Sequence, residues 1–363
     1  MNYKSFTLLA IALISFVISS YLSISQQAIE YEVAAPKSTL SAYGFFVGEL
    51  KDLVPAGDVV PYSLNTPLFT DYASKARFVK LPEGTKASYD AKEVFDFPQG
   101  TVLIKNFYYP KDARKPQKGR QILETRLLIH EEKGWKAYPY IWNEDQTEAY
   151  LEVAGGSKNI AWVDERGKKQ KLNYQIPNMN QCKGCHLVGQ DIKPIGPTAR
   201  QLNGDFAYKA GTENQLIKWK SLDILEELPN VEELPKVYAW NKPNEGTLEQ
   251  RARGWLDINC GHCHRAEGPA NTSGLFLDYH TQDPFKLGIF KTPVAAGRGS
   301  GGHSYAINPG HPEKSILVYR MESTDPGEMM PELGRTTVHQ EGLALVKAWI
   351  KSLDAKDYEV GGE

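Results

Sequence analysis

Continuous runs of β-branched and aromatic residues, broken by polar turns, mark the first half of this chain, whereas apolar residues recur at three-to-four-residue spacing in the second half. Residues 77–81, 101–108, 124–130 and 135–142 are rich in β-branched and aromatic side chains and are bounded by Gly, Pro and Asp, which predicts strands. Two facing sheets would bury their apolar sides, so a β-sandwich-like domain is expected over residues 37–178. Further on, Leu248, Ala252, Trp255 and Leu256 fall on one helical face behind Thr247 and Gln250, a capping-box pair. Leu343, Val346, Ile350 and Leu353, with Trp349 alongside, form a second stripe behind Thr337 and Gln340 in the same relation. Residues 214–225 read as a helix with Leu216, Ile217, Leu222 and Leu225 on its apolar side, residues 315–322 as a shorter one, and the Pro-rich 229–243 as a linker.

The first 25 residues differ in kind. After Lys4, residues 6–24 carry no charge and end at Ser23-Ile24-Ser25, small residues at the positions a signal peptidase reads. Residues 1–25 are expected to be a signal peptide, with an uncleaved N-terminal anchor as the alternative. Either way, everything after Gln26 is delivered across a membrane into the bacterial periplasm. The remainder is ordinary for a globular protein, with 41% hydrophobic and 24% charged residues in a total of 363. A formal net charge of −2 argues against nucleic acid or an anionic membrane surface as partner.

The chemistry is concentrated in the cysteines. There are four, Cys182, Cys185, Cys260 and Cys263, all within two copies of Cys-x-x-Cys followed at once by His186 or His264. Zinc ribbons place their pairs roughly 15–20 residues apart, whereas 74 residues lie between Cys185 and Cys260. Zinc also has no need of a histidine directly after each pair. Cys260-Gly261-His262-Cys263 matches the dithiol of disulfide isomerases, but no thioredoxin-like βαβ pattern surrounds it. Covalent haem accounts for every residue: two thioethers to the porphyrin vinyl groups, and the next histidine as proximal iron ligand. The expected cofactors are therefore two haem c groups.

A methionine sulfur is the usual sixth ligand that raises a haem's potential. Met330, in Gly327-Glu328-Met329-Met330-Pro331, is the choice for the second haem, with Met329 as the alternative. For the first haem no methionine lies between His186 and Met321, and the distal histidines to consider are His130, His280, His303, His311 and His339. Its sixth ligand stays unassigned. Pro197, in Ile195-Gly196-Pro197, stands where cytochromes c place a proline whose carbonyl orients the proximal histidine. Gly297-Arg298-Gly299-Ser300-Gly301-Gly302 satisfies a dinucleotide-binding pattern, but Tyr305 and Pro309 follow instead of a helix, so it reads as a loop.

Several segments together resemble bacterial dihaem c-type cytochromes, in particular a family of conserved proteins from Shewanella and related marine bacteria. They are residues 178–186, Ile195-Gly196-Pro197, residues 251–264, residues 309–315, Arg320, Met330-Pro331 and Trp349-Ile350. The likeness extends over nearly everything after residue 36. It implies an α+β multidomain chain: the β-rich domain at 37–178, a mainly helical first haem domain at 179–243 and a mainly helical second one at 244–356. The function expected is periplasmic electron transfer with a redox partner protein. The alternative is a haem enzyme, a peroxidase or oxidoreductase, with catalysis at the first haem and the second as relay.

Overall fold

The computed structural model describes residues 36–358, so the segment read as a signal peptide or anchor lies outside the described residues. Among the described residues no helix is long and apolar enough to cross a membrane. The central element is a six-stranded antiparallel sheet: β1 (Val60–Tyr62), β2 (Ser74–Lys80), β3 (Val102–Pro110), β4 (Arg120–Glu131), β5 (Gly134–Trp142) and β6 (Ala149–Leu151). Each strand pairs with its sequence neighbour in one continuous meander. The four runs with strand patterning supply β2 to β5.

Register determines what each face presents. Val79, Leu103, Leu128 and Ala137 stand abreast across four strands; two residues along, on the same face, Arg77, Lys105 and Arg126 stand abreast. The next row holds Lys75, Phe107 and Glu124. The opposite face is covered by the N-terminal segment, where the Phe46 ring meets Phe78 edge-on at 5.1 Å and the Tyr43 hydroxyl lies 2.9 Å from that of Tyr140.

The expected sandwich is corrected. Among the described residues no second sheet of comparable size faces the first; a two-stranded ribbon, β7 (Gly156–Val163) with β8 (Lys169–Ile176), packs Ile160, Tyr174 and Ile176 against Phe107 and Tyr109 at one end of the sheet. Two mainly helical domains are not present either. The helices among the described residues are few and short: α1 (Met179–His186), α2 (Ala199–Leu202), α3 (Gln215–Ser221), α4 (Leu248–Leu256), α5 (Ile316–Glu322) and α6 (Gln340–Ser352). Residues 187–214 include two small hairpins, and Ala199, Leu202, Leu216 and Trp219 pack into the same cluster as Val79, Leu103 and Leu128. The first cysteine motif is therefore built onto the sheet, which supplies the apolar surface its short helices lack. The second region does have its own core, Ala252, Trp255 and Leu256 of α4 against Leu343, Val346 and Ile350 of α6. Each such side chain contributes about 2 kcal/mol by burial. Gly342 makes the helix contact close, since a Cβ there would fall 2.5 Å from Trp255.

Local boundaries follow the same logic. The Thr247–Gln250 capping box forms, with Gln250 N–H donating to Thr247 Oγ1 at 3.1 Å and Thr247 N–H to Gln250 Oε1 at 2.8 Å. The Thr337–Gln340 box does not, because α6 starts after His339 and the Thr337 hydroxyl donates instead to Asp71 at 2.7 Å. The helix expected over 214–225 ends at Ser221, leaving Ile217 and Leu222 exposed and Leu225 in a short strand beside Ala87.

Candidate functional site

The two cysteine motifs are presented by different backbone. Cys182, Cys185 and His186 lie on α1, whose N-terminus is held by Asn178 and Gln181 capping each other at 2.8 and 2.9 Å. The second motif follows α4 through a widened π turn, Asp257–Gly261. Asn259 pins that turn, its Oδ1 accepting from Phe69 N–H at 2.8 Å and its Nδ2 donating to the Trp255 carbonyl at 2.9 Å. Gly261 is needed because the chain at Leu277–Asp278 passes so near that a Cβ would fall 2.9 Å from Asp278 Cα. A buried pair, Arg200 Nε to Asp257 Oδ2 at 3.0 Å, ties the turn to the chain beyond the first motif.

The fold brings the two motifs together. Cys263 S–H donates to the Gly184 carbonyl at 3.4 Å, and the ligand atoms of Cys185, His262 and Cys263 all lie within 4.8 Å of one another. The Cys263 S–H and the His262 imidazole hold Cys185 far below the ordinary thiol range, while Cys263 is raised by the same contact. Cys182 and Cys260 are buried, and burial pushes both thiols up, Cys260 to about 12. Cys185, His262 and Cys263 are three soft donors, one short of the tetrahedral set that structural zinc takes. Thioether attachment would consume two of them, so zinc and haem exclude one another here.

Two cavities open from this meeting point. The first is walled by Cys182, Cys185 and His186 on one side and by Arg77, Lys105 and Leu103 of the sheet on another; the second by Cys260, Cys263 and His264 with Leu277 and Leu317. Burial lowers His186 and His264 to about 4, so their imidazoles are neutral at neutral pH, the form in which an imidazole can bind a metal. His186 Nδ1 faces the carbonyl of Lys193 at 2.7 Å. This corrects the assignment of that role to Pro197, whose carbonyl accepts from Phe95 N–H at 3.3 Å. The signal available in the sequence was Pro194, which holds Lys193 extended and its carbonyl turned away from helical pairing. His264 Nδ1 lies 3.4 Å from Ser273 Oγ, a longer contact.

Met330 lines both cavities, whereas Met329 is buried and lines neither. Met321, buried on α5, also reaches both walls, so the lack of a nearby methionine in the sequence does not deprive the first cavity of thioethers. Of the five candidate distal histidines only His339 lines the first cavity. Trp255 Nε1–H donates to its Nδ1 at 3.1 Å, and an indole can only donate. The neutral ring then carries its proton on Nε2 and has no lone pair left for a metal. His130 is turned away, with Nδ1 on the Phe97 carbonyl at 2.8 Å and its ring stacked on Trp135. The glycine-rich segment 297–302 begins as a single 3₁₀ turn, Gly297–Ser300, with Gly299 against the Arg320 guanidinium, and forms no phosphate cradle.

One element that sequence reasoning missed holds this wall in place. Asp71, 3% exposed, accepts from the N–H and hydroxyl groups of both Thr336 and Thr337 at 2.7–3.0 Å. It thereby clamps the segment after Met330 to the turn preceding β2. Arg335 completes the loop by donating to the carbonyls of Met330 and Ser323 at 2.8 and 2.9 Å.

The residues at both motifs fit a covalently tethered haem: paired unbridged thiols, a neutral histidine next in sequence, apolar cavity walls and a thioether within the wall. Comparison with protein families, with curated proteins and with solved structures finds no match to this chain.

Proposed function

We propose that this chain is a dihaem c-type cytochrome, exported to the bacterial periplasm, that passes electrons to or from a redox partner protein. The observation that carries this reading is the convergence of the two motifs. The ligand atoms of Cys185 and Cys263 lie within 4.8 Å of each other; Cys182 and His186 line one cavity, Cys260, Cys263 and His264 the other, and Cys185 lines both. Each haem, when bound, supplies a one-electron iron couple whose potential is tuned by its axial ligands and surroundings. The chain's own part is to tether and orient. Cys182 with Cys185, and Cys260 with Cys263, would be the attachment points, His186 and His264 would hold iron from the proximal side, and Met330, on the cavity wall, would supply the distal thioether of the second haem. The Lys193 carbonyl fixes the His186 ring and its tautomer by accepting from Nδ1–H, leaving Nε2 for iron. The uncharged run near the N-terminus supports export, as does haem attachment taking place outside the cytoplasm in bacteria.

The test is production with and without a c-type maturation system, followed by denaturing mass spectrometry. The expected result is the mass of two haems per chain, with Cys182→Ala and Cys260→Ala each losing stable attachment at one site only. A mass of apoprotein with acid-released zinc would refute the proposal and assign Cys185, His262 and Cys263 to a metal instead.

A further inference from the structure

Arg77, Lys105 and Arg126 lie directly opposite one another on three adjacent strands, and Lys75 stands two residues from Arg77 on the same face. Like charges directly across a sheet destabilise it, and a buried cation without a counter-charge costs several kcal/mol. One of the row is answered within the protein: Arg126 is held by Glu124 at 2.6 and 2.8 Å. The other two in the row are not. Among the described residues neither Arg77 nor Lys105 makes a salt bridge or a side-chain hydrogen bond; Arg77, 6% exposed, leaves Nη2 buried and unpaired, and half-buried Lys105 has only the more distant carboxylate of Glu124, itself taken by Arg126. Burial and the neighbouring cations push the Lys75 and Lys105 amines well below the ordinary lysine range. The Phe107 ring, 4.9 Å from Lys105 Nζ and 4.3 Å from Arg126 Cζ, offsets a part of this.

Arg77 and Lys105 line the first cavity together with Cys182, Cys185 and His186. We infer that these two cations are the binding site for a pair of carboxylates, the two propionates of the haem attached at Cys182 and Cys185. The inference rests on the dihaem reading. Two facts of haem chemistry commit it to that source. The vinyl groups taken by the cysteines and the propionates are on different pyrroles, so a haem tethered through α1 has its carboxylates free to meet another wall. That wall carries two unanswered positive charges, matching two negative ones. The apolar row Val79, Leu103, Leu128 and Ala137 beside the cations suits the porphyrin body.

The experiment uses holoprotein verified by pyridine haemochrome to carry two haems per chain, in native form and as Arg77→Gln, Lys105→Gln, the double variant, and Arg77→Lys as a charge-preserving control. The reduction potential of each haem is titrated between about pH 5 and pH 9, the first haem being the one lost in Cys182→Ala. In the native protein and in Arg77→Lys the potential of the first haem should be flat across this window, because the cations keep both propionates ionised. In the Gln variants it should become pH-dependent, the apparent propionate pKa rising by about one unit or more, a tenfold change in ionisation. The second haem should be unaffected. Two haems with an unchanged first-haem profile in the double variant would overturn this inference and leave the dihaem reading standing. So would added acetate or succinate that perturbs the spectrum of the native protein but not of the double variant, which would assign the cations to a free carboxylate. Chains carrying no covalent haem would overturn both.

Discussion

Replacing Asp71 by Asn tests the clamp that joins the Met330 loop to the sheet. The carboxylate is nearly inaccessible and receives five contacts, three at Oδ1 and two at Oδ2, all between 2.7 and 3.0 Å. Its backbone is left-handed, φ +44°, a conformation Asn also tolerates, so the substitution removes charge and acceptor capacity without adding backbone strain. Hydrogen bonds to a buried charge contribute about 1.5–3 kcal/mol each and neutral ones about 1 kcal/mol. The Asn retains Oδ1 as a neutral acceptor but opposes Thr336 N–H with a second donor, so the net loss is about 3 kcal/mol. At about 2 °C per kcal/mol for a chain of this size, the unfolding midpoint should fall by roughly 6 °C. Thr337→Val, which removes one hydroxyl bond to the carboxylate, should cost about 2 kcal/mol. Denaturant unfolding followed by circular dichroism measures both. A change in Asp71→Asn below about 0.5 kcal/mol, the size of an ordinary surface substitution, would refute the clamp.

Met330→Ala should abolish the far-red sulfur-to-iron band of the oxidised protein and lower one haem potential, while Met329→Ala, whose side chain lines neither cavity, should leave both unchanged. Met321→Ala in the same spectra tests whether the second thioether at the shared wall serves the first haem; carbon monoxide binding to about one haem in two in the native protein would instead show a labile sixth site there. His339 is held to about 4 by burial, whereas an unfolded histidine titrates near 6.5. The unfolded chain therefore binds the extra proton between those values, and up to roughly 3 kcal/mol of stability present above pH 6.5 should be lost as the pH falls toward 4. His339→Phe, which preserves stacking on Phe69, should flatten that part of the pH–stability curve, and an unaltered slope would contradict the buried neutral ring.

What could be read from the sequence is what short-range chemistry dictates. The spacing of Cys-x-x-Cys-His needs nothing beyond five consecutive residues. The Thr247–Gln250 box closes within one turn, and the β-branched and aromatic runs that form β2 to β5 are continuous in sequence. The tertiary structure decided everything that depends on register or on distant segments. Alternation puts Arg77, Lys105 and Arg126 on some face of their strands, but only the pairing of β2 with β3 and of β3 with β4 brings them abreast. The resemblance to dihaem cytochromes implied a separate helical domain around the first motif, yet seven- and eight-residue helices bury too little surface to stand alone, and the sheet supplied the rest. Thr337 matched a capping box locally and was taken by Asp71, 266 residues away, because a buried carboxylate gains more from a donor than an exposed helix end does. The meeting of Cys185 with Cys263 is of the same kind: each motif is local, but their contact depends on the chain between them folding back across the sheet.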